Sequence, residues 1–261
     1  MGLMRALLGR EASSQALLQK PMQAPAPQLH GAEIACVYYG QRIAGDFYDF
    51  VRVSPDRVLF GLLDVAGRVE DTRAMICAVQ QTFRTRAVEL FAVEDVNEAD
   101  AMVNLCLDLN RTILQFGSGI HACPAFAGCY NESLGTVCYF NAGHAPGLLR
   151  DSTGITELPA TGLPLGLFSH ATCDAPMAAL VPGGSLLVVS RGVLEAKCKG
   201  EELGLERIKV SLQHAPANNA KALSSSVLDH VQTFMCKPPM HDDVTALALI
   251  RTRQTTPAGQ A

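Results

Sequence analysis

Two long helical periods follow one another with no strand between them, and β-type runs stand on both sides of the pair. The first period places Met75, Ile76, Val79, Phe83 and Leu90 on one stripe. The second places Met102, Val103, Cys106, Leu107, Asn110, Ile113 and Leu114 on another. Ahead of them lie three strand-like runs, EIACVYY, DFYDFVRV and VLFGLLDV, the last two joined by the hairpin-length turn SPDR at Ser54 to Arg57. Behind them come HACPAFAGCY, TVCYFNAG, GLLRD and SLLVVS, then helical patterns over Leu205–His214 and Ala220–Met235, and a last strand over Val244–Arg251. A doubly wound parallel sheet needs strict alternation, because each parallel crossover runs through a helix, and this order breaks it. The order calls for an α+β protein in which antiparallel sheets are flanked by helices.

Residues 1–30 read as a helical stretch, Ser13 to Lys20, followed by the linker PMQAPAPQ, whose prolines remove backbone donors and keep the chain extended. The folded domain is expected over 31–252, with a flexible tail over 253–261. With 48% hydrophobic and 18% charged residues, the 261-residue chain has the composition of a globular protein rather than a disordered one. A net charge of -4 provides no basic field for phosphate backbones, so neither nucleic acid nor an anionic membrane is an expected partner. The apolar run Val58 to Gly67 is interrupted by Asp64 and falls short of the roughly 18–20 residues that cross a bilayer. The apolar N-terminus is broken by Gly9, Arg10 and Glu11 before a signal-peptide core forms. A cytoplasmic location is the expectation. None of the nine cysteines stands in CxxC spacing, and Cys36, Cys77, Cys106, Cys129 and Cys138 lie inside apolar segments, where reduced thiols act as small hydrophobes. Zinc and disulfides are not expected.

Acidic residues at the ends of apolar strands carry the chemical signal. Asp46 follows Gly45 at a strand start, Asp64 closes FGLLD, and Asp242 and Asp243 open DDVTALALI. A carboxylate beside a core run is costly unless solvated, paired or bound to a cation, and a few carboxylates with a backbone carbonyl suit Mg²⁺ or Mn²⁺. Taken singly, each of these residues reads better as a solvated turn aspartate than as a metal ligand.

Six segments in order give the constellation a context: AGDFYDF (44–50), LLDVAGR (62–68), YFNAGHAPGLL (139–149), TGLPLGLF (161–168), PGGSLLVVSRGVLEA (182–196) and HDDVTALAL (241–249). Together they resemble the PPM-type metal-dependent serine/threonine protein phosphatases of the type 2C superfamily, in the bacterial branch of the stage II sporulation E and sigma-regulator phosphatases. The resemblance implies an αββα sandwich of two antiparallel β-sheets flanked by helices, with a two-metal site for Mg²⁺ or Mn²⁺ between the sheet ends. It also implies dephosphorylation of phosphoserine or phosphothreonine by direct attack of a metal-activated water. By motif position Asp64 is the bridging ligand, Val65 offers its carbonyl, Asp242 holds the first metal, and Asp46 contributes directly or through water. The implied substrate is a phosphorylated regulatory protein of the anti-sigma-factor antagonist type. Helices beside the site are implied to shift when a sensor or partner docks. With no sensor domain read in this sequence, the signal is expected from a separate protein or from a homodimer formed through residues 1–30.

Several positions depart from the family pattern. Ser190-Arg191-Gly192 stands where the family has threonine-aspartate-glycine, so a metal-binding carboxylate is replaced by a guanidinium that keeps its charge. Arg191 is therefore a degenerate metal position, and close to Asp64 and Asp242 it would neutralise them. Gly184 replaces an aspartate after Pro-Gly, Ala44 a glycine before Asp46, and Arg68-Val69 a lysine-glycine. These changes leave a second reading open: a degenerate phosphatase fold that binds phosphoproteins as a regulatory module without turnover. Arg42 is a candidate for substrate phosphate. His144 reads as structural, and His241 needs no function.

Overall fold

The computed structural model describes residues 25–39, 45–65, 69–116, 122–235 and 243–253. Among the described residues, the first elements are strand β1 (Ala32–Tyr39), the hairpin β2 (Phe47–Ser54) and β3 (Arg57–Leu63), and the helices α1 (Val69–Phe91) and α2 (Glu98–Gln115). Next are β4 (Ala125–Asn131), β5 (Thr136–Ala142), β6 (Gly147–Arg150), β7 (Ile155–Leu158), β8 (Met177–Ala179) and β9 (Ser185–Val189). A single turn α3 (Arg191–Leu194) and the short ribbon β10 (Lys197–Cys198) and β11 (Glu201–Glu202) lead to α4 (Gly204–His214), α5 (Ala220–Phe234) and β12 (Val244–Arg251). One five-stranded sheet has the order β1-β12-β9-β6-β7 and the other β2-β3-β4-β5-β8, and every pairing within them is antiparallel. The two-sheet, helix-flanked architecture is the expected one.

The period of two along each strand builds three apolar layers. On β3 and β4, Leu59, Leu63, Ala125, Ala127 and Cys129 face α1 and α2 and meet Met75, Val79, Phe83, Met102, Leu105 and Leu109. On β9 and β12, Leu187, Val189, Ala246, Ala248 and Ile250 face α4 and α5 and meet Ile208, Leu212, Leu223, Val227 and Val231. The alternate residues Phe60, Leu62, Phe126, Tyr130, Leu186, Val188, Leu247 and Leu249 fill the space between the sheets. Gly128 is needed there, because a Cβ would lie 2.6 Å from Cζ of Phe60.

Both α2 and α5 begin with an asparagine cap: Asn97 accepts from the amides of Ala99 and Asp100, and Asn219 from that of Ala222. The α2 stripe differs from the expected one. Leu105 and Leu109 are buried, whereas Val103, Leu107 and Leu114 lie on its half-buried flanks. Asn110, on the expected stripe, is buried and holds the TGLPLGLF segment by donating to the Phe168 carbonyl at 2.9 Å and accepting from the Gly166 amide at 2.8 Å. Helix α1 is tied to β2 by Asp49, 1% exposed, which takes a two-pronged ion pair from Arg84 at 2.7 and 2.9 Å and a further bond from Gln80 at 3.1 Å. The five cysteines expected to be thiols are free, but Cys198 on β10 is disulfide-bonded, which corrects the expectation of a wholly reduced set. Its spacing gave no signal for it. Among the described residues no helix is long and apolar enough to cross a membrane.

Candidate active site

The acidic residues meet where the ends of the two sheets approach each other. Asp46 precedes β2, and the Thr245 hydroxyl on β12 of the other sheet donates to its Oδ2 at 2.6 Å. Asp243, 2% exposed, accepts from the Tyr38 hydroxyl of β1 at 2.7 Å and from the Gly45 amide at 3.3 Å. The Ser190 hydroxyl accepts from the Thr245 amide at 3.0 Å. This polar seam joins the sheets and holds Asp46 next to the charges of Asp64 and Asp243. Burial, together with those two charges, pushes the Asp46 carboxyl up to about 7, against hydrogen bonds from Thr245 and Ser190 that pull it down.

Asp64 ends β3 and is 6% exposed; its amide donates to the Pro124 carbonyl at 2.8 Å, which fixes the backbone as it leaves the sheet. Val65 follows, and its carbonyl oxygen would lie 3.3 Å from a Cβ on Gly45. Gly45 has φ +90°, a conformation that costs an L-residue about 1–2 kcal/mol, so glycine allows both the turn into Asp46 and the approach to this carbonyl. Asp46, Asp64 and Val65 are thus brought to one place. Asp242 and Arg42, with Ala44, Arg68 and His241, lie outside the described residues, as do residues 1–24 and 254–261.

Arg191 starts α3 directly after Ser190, and its Nε lies 3.4 Å from Asp64 Oδ2 and 3.7 Å from Glu195. The expected neutralising contact with Asp64 is present. Gly184 is separated from it by the whole of β9, a rise of about 17 Å for five residues. Its amide closes the 181–184 turn on the Val181 carbonyl at 2.8 Å. Gly184 therefore shapes a turn at the far end of the strand, and of the two departures only Arg191 touches the acidic site.

Oxygen donors from Asp46, Asp64 and Val65 suit a hard divalent cation. Among the described residues no three such side chains form a cage by themselves, so an ion here would also need water or residues outside them. Sequence reasoning missed Thr245, Tyr38, Asp243 and Ser190 as positioning groups. A signal existed for two of them: Asp243 and Thr245 continue the inward row of Leu247 and Leu249 at period two, so their polar side chains had to meet something between the sheets.

His144 is buried and bonded within its own turn. Its amide donates to Asn141 Oδ1 at 2.8 Å, and its Nδ1 lies 3.1 Å from the Ala145 carbonyl. Burial lowers its pKa from 6.5 to about 4. Between those values the unfolded chain takes up a proton that the native state refuses, so stability falls as pH drops through that window, by about 1.4 kcal/mol per unit. His144→Gln should remove this contribution. Urea midpoints of the two proteins at pH 4.5 and pH 7 would check it, and equal pH dependence in both would refute it.

Residues 54–252 match the family model of Stage II sporulation protein E. The chain belongs to the SpoIIE family. Among curated relatives, phosphoserine phosphatase RsbP of Bacillus subtilis is 23% identical over 161 residues, 60% of this chain and 39% of that protein. The chain thus spans about two-fifths of that relative's length. Among solved structures, the RsbU and RsbW domains of Rv1364c from Mycobacterium tuberculosis share the fold with TM-score 0.70 at 22% identity, over 88% of this chain and 64% of that one. The PP2C phosphatase domain of SpoIIE from B. subtilis, solved with a fragment of its regulatory domain, gives TM-score 0.70 at 14% identity, over 86% and 64%. The PPM-type αββα fold of the SpoIIE branch is therefore the fold of this protein.

Proposed function

We propose that this SpoIIE-family protein is a divalent-metal-dependent phosphatase that removes phosphate from serine or threonine in a regulatory protein. The observation that carries this reading is the convergence of Asp46 and Asp64, from one sheet, with Thr245 and Asp243, from the other, on a single acidic site. The name of the relative RsbP supports phosphoserine as the substrate group. Asp46, Asp64 and the Val65 carbonyl, with Asp242 by motif position, would hold Mg²⁺ or Mn²⁺. The chemistry such an ion supplies when bound is neutralisation of the phosphoryl oxygens and activation of a water nucleophile. The chain itself orients the ligands: the Thr245 hydroxyl fixes the Asp46 carboxylate, and the Pro124 carbonyl fixes the backbone of Asp64. Water attacks phosphorus directly, the bond from phosphorus to the seryl oxygen breaks, and no phosphorylated side chain forms. An anti-sigma-factor antagonist is the proposed partner, with activation through a separate sensor or through self-association by residues 1–30.

The Arg191–Asp64 ion pair favours a second reading, a regulatory phosphoprotein-binding module without turnover. Assays with p-nitrophenyl phosphate and a phosphoserine peptide separate the two. Turnover that Mn²⁺ supports and EDTA abolishes is the expected result. Phosphopeptide binding with no release of phosphate would favour the module.

A further inference from the structure

Asp64 combines a nearly buried carboxylate with a cation that the chain itself provides. The Asp64 side chain is 8% exposed and that of Arg191 54%, so the guanidinium reaches from solvent to the carboxylate at the mouth of the site. Its backbone is fixed: the Val193 amide donates to the Ser190 carbonyl at 3.1 Å, the Glu195 amide to the Arg191 carbonyl at 2.9 Å, and Ser190 is bonded into the seam that positions Asp46. Both ion-pair contacts of Arg191 run through Nε, and among the described residues neither Nη nitrogen has a hydrogen-bond partner. A guanidinium carries five donors in a planar fork, keeps its charge at any working pH, and matches phosphoryl oxygens two at a time.

We propose that Arg191 is a resident cation of the site: its guanidinium takes the place of one divalent ion at Asp64 and presents its Nη donors to the phosphoryl oxygens of the substrate. A divalent ion at Asp64 Oδ2 would have to share that oxygen with, or displace, a side chain that cannot diffuse away. The same side chain places cationic donors beside carboxylates that repel a dianion. The phosphoryl half of this inference rests on the phosphatase reading; the cation half does not.

The test uses the full chain freed of metal, with Mn²⁺ and inorganic phosphate as the probes. Arg191 is half-exposed, so its variants should fold, and thermal melts would verify it. Calorimetry should show that Arg191→Asp binds one more Mn²⁺ per chain than the natural protein, or binds it at least about tenfold tighter, because a cation has become an oxygen ligand. At saturating Mn²⁺, Arg191→Ala should bind inorganic phosphate about tenfold more weakly, the loss of charge-assisted hydrogen bonds. Unchanged Mn²⁺ binding in Arg191→Asp, or unchanged phosphate affinity in Arg191→Ala, would overturn the proposal. Neither readout needs turnover. Both shifts in a protein that never releases phosphate would refute the phosphatase reading alone, and turnover without either shift would refute this inference alone.

Discussion

Asp64→Asn is expected to lower Mn²⁺-dependent phosphate release by about 10²–10³-fold while leaving the protein folded. The amide keeps the shape of the side chain but loses the charge that attracts a hard cation, and groups acting on charge that develops at phosphorus are individually worth factors of this size. Stability should not suffer. Asp64 sits beside the charge of Asp46, so neutralising it removes like-charge repulsion there, and Arg191 keeps Glu195 and solvent as partners. Steady-state kinetics alongside urea unfolding would check both halves. Hydrolysis within about threefold of the natural protein would remove Asp64 from the chemistry.

Arg84→Met is expected to destabilise the fold by about 3 kcal/mol, the low end for breaking a buried ion pair from one side. Asp49 would keep the Phe50 amide at 2.8 Å and Gln80 at 3.1 Å, yet its charge would be stranded at 1% exposure between β2 and α1. Replacing both partners, Asp49→Leu with Arg84→Met, should recover much of the loss, because no buried charge is then left uncompensated. Urea midpoints for the single and double variants would measure this. A single-variant loss below about 1 kcal/mol would show that solvent already reaches the pair.

What the sequence made legible followed the strength of its local signals. The Ser54–Arg57 turn joins β2 to β3, and β12 covers the expected residues. Helix α2 was harder, because its apolar residues fit two overlapping stripes; the choice of Leu105 and Leu109 over Val103 and Leu107 depends on how the helix is clamped between α1 and the sheet. Strands β7 and β8 have four and three residues and are partly exposed, too short for a period to register. At the site, Asp46 and Asp64 were found because the first opens a strand-like run and the second closes one. Tyr38 was not, because its partner Asp243 is 205 positions away and only the pairing of β1 with β12 brings them together.

That pairing also sets when the protein can work during its own synthesis. All eight residues of β1 are matched to β12, Ala32 to Arg251 through Tyr39 to Val244, so the first strand of the domain waits for the last. The bond between Asp46 and Thr245 closes a loop of 199 positions, a separation that slows folding because the entropy of closure precedes the contacts that reward it. A nascent chain can form the β2–β3 hairpin and helices α1 and α2 early. It cannot position Asp46 until β12 has emerged from the ribosome, so a truncated product would carry the acidic residues without the pocket that makes them useful.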